Sequence, residues 1–391
     1  MSTAPRRDRR GRGRPSSTLR IVLLAGAALG LFLLLVHARL VVSLRNGRLI
    51  GAAYRLAEED FHHPRLRLLR ARERLDGVVA PYGTQFDQIL ALRGWVHRQW
   101  AVGKRFYYPP WDAVEILDLA RTQGNRGFCA QYAVVFLQAC QSFGIHARYV
   151  NLPGHFVVSV WSDTWDQWVV MDPQNDLHFE RAGVPLGARA LSDAVRRNAP
   201  GGIVVAGPGA ARRPAAESDL VHYRSISIVM DADQLSRPVR YARDGTVRTL
   251  IRRPDYTEYP LVGRDTLVFW NRYLVWKAPA SRVPAGEAPV LPGTLSSSRE
   301  DFDYPKNQTV ILTQNSVDRE DTIDVGLLAE QSETFSAFEV RAGGGRWTES
   351  PARFRWILKP GLNRLSCRIR TSFGWLGPES HIAVLYWPSM L

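Results

Sequence analysis

Three residues carry the chemistry that the sequence suggests: Cys129, His155 and Asp172. A thiol nucleophile needs a base to take its proton, and the base needs a carboxylate or amide to orient it. Cys129 falls at the expected start of a helix, in the run Gly127-Phe128-Cys129-Ala130-Gln131. Unpaired backbone N–H groups and the positive dipole end favour a thiolate there and could hold an oxyanion. His155 follows Gly154 at the opening of an expected strand, and Asp172 precedes Pro173 at the end of the next. If residues 154–161 and 167–173 form a hairpin centred on Asp163-Thr164, His155 lies opposite Asp172 and Val157 opposite Val170. Directly opposed residues have Cβ atoms about 4.5–5.5 Å apart, within reach of an imidazole–carboxylate hydrogen bond. A one-residue slip would turn Asp172 to the other face.

The surrounding periodicity supplies the elements that must position these groups. Phe86, Ile89, Leu90, Leu92, Trp95 and Val96 recur at helical spacing. Asp112, with Glu115 three residues on, reads as the start of a second helix. The Cys129 helix buries Ala133, Phe136, Leu137 and Cys140, and Gly144 is its expected stop. Period-two runs at 146–152, 155–161 and 167–172 read as strands. Beyond an Ala/Gly/Pro/Arg stretch at 199–216, expected as a linker, come short strand-like runs at 223–230, 267–270, 309–313, 338–341, 363–370 and 381–386. Spaced strands without helical periodicity suggest small β-sandwich modules.

The run GFCAQYAVVFLQACQSFGIHARYV, then NLPGHFVVSVW, then WVVMDP, resembles the core of the transglutaminase-like superfamily. The resemblance covers about residues 85–180. It implies a papain-like helix-plus-antiparallel-sheet core in which Cys129 is the nucleophile, His155 the base and later acid, and Asp172 the orienting group. It also implies a second oxyanion donor upstream, for which Gln123 and Trp95 are the candidates. A glutamate usually stands two residues before the Trp of the Gly-His strand; here that position is Ser159. The superfamily holds transamidases, proteases, amidases and inactive members, so the resemblance names a mechanism better than a substrate.

Charge and composition bound the rest. The 391-residue chain has a formal charge of +14. Ten arginines against Asp8 alone give residues 1–48 a balance of +9, which leaves +5 for the remainder. The basicity is therefore terminal, and a nucleic-acid partner is not expected. Residues 21–36 carry no charge, and the apolar run continues to Leu44. A cleaved signal peptide is the rival, but the run is long for one and no persuasive small-x-small cleavage site follows, so an uncleaved transmembrane signal anchor is expected. Seven arginines before it place the N-terminus in the cytoplasm and the rest outside. Three cysteines are too few for a disulfide framework, and Cys140 and Cys367 read as core. No histidine–carboxylate spacing suggests a metal, and no cofactor is expected.

The expected organisation is α+β with an N-terminal transmembrane helix. It comprises a basic tail (1–20), a bilayer-spanning anchor (21–44), a catalytic domain (49–198), a linker (199–216), a β-rich module (217–300) and an immunoglobulin- or fibronectin-like sandwich (301–391). The expected function is a membrane-anchored, extracytoplasmic thiol acyltransferase or amide/peptide hydrolase working on envelope protein or peptide. The alternative is a catalytically silent scaffold whose β-modules bind envelope protein or polysaccharide.

Overall fold

The computed structural model describes residues 22, 24–26, 29, 39–49, 51, 58–103, 111–122, 126–209, 211–229, 232–233, 235–236, 239–243, 246–250, 273–277 and 299–388. The basic tail, most of the apolar run, Gln123 and the strand expected at 267–270 lie outside the described residues.

In chain order, β1 (Arg39–Arg45) is followed by α1 (Pro64–Arg72), α2 (Leu75–Val79), α3 (Gln85–His97), β2 (Ala101–Val102), α4 (Ala113–Thr122), β3 (Arg126–Gly127) and α5 (Cys129–Gln141). Then come β4 (Ala147–Leu152), β5 (His155–Ser162), β6 (Gln167–Asp172), β7 (Leu177–Arg181), β8 (Val184–Pro185), α6 (Ala188–Arg196), β9 (Ile203–Ala206), β10 (Arg212–Pro214), α7 (Glu217–Leu220) and a 3-10 turn (Val221–Arg224). After these come β11 (Ser225–Val229), β12 (Val239–Arg243), β13 (Thr246–Leu250), β14 (Tyr273–Lys277) and α8 (Arg299–Asp303). The chain closes with β15 (Gln308–Asn315), β16 (Thr322–Glu330), β17 (Phe335–Ala342), β18 (Thr348–Ser350), β19 (Arg353–Ile357), β20 (Gly361–Thr371) and β21 (Ser380–Tyr386).

The architecture is α+β with antiparallel sheets. The central sheet runs β10-β9-β7-β6-β5-β4-β11-β14, with β8 on β7. One core gathers α3, α4 and α5 with Tyr149, Val158, Val160, Val169 and Met171; a second gathers α6 and Tyr223 with Val150, Val157, Val170 and Phe179. Alternate residues of β4, β5 and β6 thus serve opposite cores, which is why these strands are almost wholly buried. The stretch expected as a linker supplies β9 and β10, and the module expected at 217–300 gives its first strand, β11, to the same sheet. These strands are short, and only ladder pairing with β7 and β4 marks them as sheet.

The expected sandwich is a five-stranded sheet, β1-β21-β20-β17-β18, facing a three-stranded one, β15-β16-β19. Its core includes Ile311, Val325, Leu327, Trp356, Leu365, Cys367, Ile369 and Val384. One edge strand comes from the other end of the chain: β1 pairs with β21, and Asn46 exchanges hydrogen bonds with the Ile311 backbone at 2.7 and 2.9 Å. Residues 39–44 are therefore strand, not the end of a membrane helix. An apolar run fits either element, and here Val41 joins the ladder opposite Val384. Among the described residues no helix is long and apolar enough to cross a membrane.

The modules dock closely. Gly144, at φ +68°, ends α5, and the Phe373 ring of the sandwich lies where a Cβ would stand. Trp375 Nε1 donates to Phe143 O at 2.7 Å, and Asn307 Nδ2 to Asp163 Oδ1 at 3.0 Å.

Candidate active site

Cys129 is the first residue of α5. The helix start is fixed by Gln131, whose Oε1 accepts from Phe128 N at 3.0 Å. The thiol is buried and lies close enough to His155 to favour the imidazolium. His155 Nε2 lies 2.7 Å from Asp172 Oδ2, so Nδ1 is the nitrogen left for Cys129. Burial disfavours the imidazolium, but the hydrogen bonds and charges of Asp172 and Cys129 outweigh it and raise the His155 pKa to about 10. Asp172 is buried, which favours its neutral form; the His155 and Asn175 hydrogen bonds prevail and hold its pKa below the usual value.

The three residues meet through a register other than the expected one. β5 and β6 pair Ser159 with Val170 and Trp161 with Trp168, a shift of two from the expected hairpin. A two-residue shift keeps the face, so His155 and Asp172 are diagonal neighbours joined by their side chains rather than direct partners. The turn occupies residues 163–166, with Asp166 at φ +50°.

A set of residues not anticipated from sequence holds the turn that carries Asp172. Asn175 Nδ2 donates to Asp172 Oδ2 at 2.8 Å and its backbone N to Oδ1 at 3.1 Å. The next residue, Asp176, accepts from Arg93 Nε at 2.7 Å, both side chains being buried. Arg93 Nη1 also donates to His178 Nδ1 at 2.8 Å, which leaves Nε2–H to donate to Glu180 Oε1 at 3.0 Å. Burial, then the Arg93 charge, lowers the His178 pKa to about 4, so this imidazole is neutral near pH 7. His97 Nδ1–H reaches Gln174 O at 2.8 Å. α3 thus clamps the Asp172 turn at Gln174 and Asp176.

Of the oxyanion candidates, Gln123 lies outside the described residues. Trp95 is buried in the helical core, and no described hydrogen bond links its side chain to Cys129, His155 or Asp172. The structure offers Trp100 instead. Its Nε1 is buried without a hydrogen-bond partner among the described residues and abuts Gly127, two residues before Cys129. A side chain at Gly127 would collide with the indole, so the Gly-x-Cys spacing has a packing reason. Nothing in the local sequence separates Trp100 from Trp95.

A pocket of about 320 Å³ opens on the His155–Asp172 side, lined also by Asn175, Leu177, Asp219 and His222. His222 Nδ1–H donates to Pro153 O at 2.7 Å, and its ring centroid lies 5.9 Å from that of His155. Elsewhere, Glu58, His146 and Glu333 have donor atoms close enough to share a metal. The Lys306 ammonium already stands 2.6 Å from Glu58 and 3.1 Å from Glu333, so the carboxylates have their cation.

A buried cysteine at a helix start, beside an imidazole held by a buried carboxylate, is the arrangement that a cysteine nucleophile requires, here on an α+β scaffold. The family assignment agrees: residues 72–173 match the family model of the transglutaminase-like superfamily, so this part of the chain is a transglutaminase-like domain. No curated protein matches the chain. Segments outside the match, including β7 to β11, complete the sheet and the His222 wall of the pocket.

Proposed function

We propose that the protein is an extracytoplasmic, membrane-anchored thiol acyltransferase or amide hydrolase that works through a thioester. The observation that carries the reading is the 2.7 Å contact of His155 Nε2 with Asp172, beside a buried cysteine at the first position of α5 whose charge acts on His155. Cys129 Sγ attacks the carbonyl carbon of an amide, forming a C–S bond. The oxygen becomes an oxyanion facing the α5 N-terminal N–H groups and the Trp100 indole. The C–N bond breaks as His155 gives its proton to the leaving amine. His155 then takes a proton from an incoming amine or water, which displaces the thiolate and yields a new amide or an acid. Asp172 keeps Nε2–H engaged throughout, so that Nδ1 faces the sulfur.

The anchor rests on the basic tail and the uncharged run that follows it. Because β1 begins at Arg39, a helical span is confined to residues 21–38, about 27 Å, which lies within the range that crosses a bilayer. An iodoacetamide-type probe tests the chemistry. It is expected to label wild type at neutral pH and to lose that labelling in Cys129→Ala; labelling unchanged in Cys129→Ala or His155→Ala contradicts the reading. Trp100→Phe is expected to slow acylation ~10²–10³-fold while leaving alkylation by the small probe intact.

A further inference from the structure

The sandwich has an apolar end where the chain enters it. Leu40, second in β1, pairs with Leu385 of β21, and Leu385 pairs on its other side with Leu362 of β20. The three leucines form one row across the outer face of the sheet. Trp387 follows two residues after Leu385. Ile357 joins the same end, because Arg39 bonds Thr322 O at 3.0 Å and Thr322 is the ladder partner of Ile357. Leu40, Leu362, Trp387 and Ile357 are 51, 48, 53 and 60% exposed, and the exposed Lys359 lies in the short turn between Ile357 and Leu362.

Scattered apolar residues on a surface need no explanation, but a row of leucines across three neighbouring strands, with an exposed tryptophan two residues on, does. We propose that this end of the sandwich lies against the lipid headgroup region of the bilayer that holds residues 21–38. The inference rests on the anchor proposed above. Its own support is the position of the patch: only Arg39 separates the proposed span from Leu40, so the start of β1 is at interface depth. Tryptophan and leucine suit that depth, and lysine suits anionic headgroups. A second copy adding to the β1 edge is the rival occupant. The register break between Val41 and Ser43 disfavours it, because a bulge interrupts the edge a partner strand would need. The sandwich is thereby a foot that fixes the height and orientation of the catalytic domain docked on it.

The test uses the full chain in phosphatidylcholine/phosphatidylglycerol vesicles carrying bromine on the lipid tails, with tryptophan emission as readout. No tryptophan lies in residues 21–38. The chain is expected to float with the vesicles and to show quenching that is lost in Trp387→Phe and kept in Trp347→Phe. A Leu40→Ser/Leu362→Ser variant should still float but lose the quenching. A floating chain whose quenching ignores Trp387→Phe overturns the surface while leaving the anchor standing. Floating without quenching, together with cross-linked β1 pairs, assigns the patch to a second copy and overturns it as well. A chain that does not float overturns the anchor, and the surface with it.

Discussion

The surroundings of the Asp172 turn and the core of the sandwich bury very different material. Behind the Asp172 turn lies a buried polar chain, Asp176 and Arg93 as ions, the neutral His178, and Glu180, ending on Arg212 at the surface. The sandwich core is filled by residues such as Ile311, Val325, Leu365, Cys367, Ile369 and Val384, and the buried Lys306 lies just before β15, paired with Glu58 and Glu333. Burying ions costs free energy that apolar packing does not, and their retention needs a reason beyond stability. In the first region the reason is positional: each charge holds a turn whose far end is the Asp172 carboxylate. In the second, burial of apolar area is sufficient. Both regions rest on apolar cores; what sets the first apart is the set of buried ions behind the Asp172 turn.

The contrast can be broken at several points. Cys129→Ala should abolish thiol-dependent labelling and leave the unfolding temperature near wild type, since His155 keeps its Asp172 partner without the thiol. Arg93→Ala leaves Asp176 buried without its partner and should cost about 3–5 kcal/mol. Denaturant unfolding reads the cost, and labelling should fall as well because the turn loosens. Leu365→Ala, in the apolar core, should cost about 2–5 kcal/mol in the same assay but leave the labelling rate of the folded fraction unchanged. Equal loss of labelling in Leu365→Ala and Arg93→Ala would erase the distinction between the regions.

The smallest effect is a displacement along the pH axis. The raised His155 pKa makes its charged form a stabilising partner at low and neutral pH, and that contribution is lost as pH rises through about 10. Asp172→Asn removes a charge that raises this pKa, so the alkaline limb of the acylation rate should move down toward the ordinary imidazole value. An unmoved limb would show that Asp172 does not act on His155.

Much of the site was legible in the sequence, and the gaps have physical causes. Cys129 was readable because a glycine-bearing loop passes abruptly into helical periodicity. His155 and Asp172 were readable because strands begin at Gly154 and end at Pro173. The register was missed because residues 163–166 form the turn, and tertiary bonds hold it: Asp163 is shared by Gln85, Trp161 and Asn307. Period-two patterning fixes the face but not the offset by two. Trp100 escaped because an unpartnered N–H is a property of packing. β1 escaped because an edge strand contributed across 283 residues, as in the Arg39–Thr322 bond, has no local signal.

The central claim is that Cys129 carries an acyl group during turnover. Intact-mass and peptide mass spectrometry of the protein, trapped after incubation with envelope extract, tests it most directly. The account predicts a hydroxylamine-labile adduct on Cys129, lost in Cys129→Ala and strongly reduced in His155→Ala. An adduct on another residue, or one that forms equally well in His155→Ala, contradicts it.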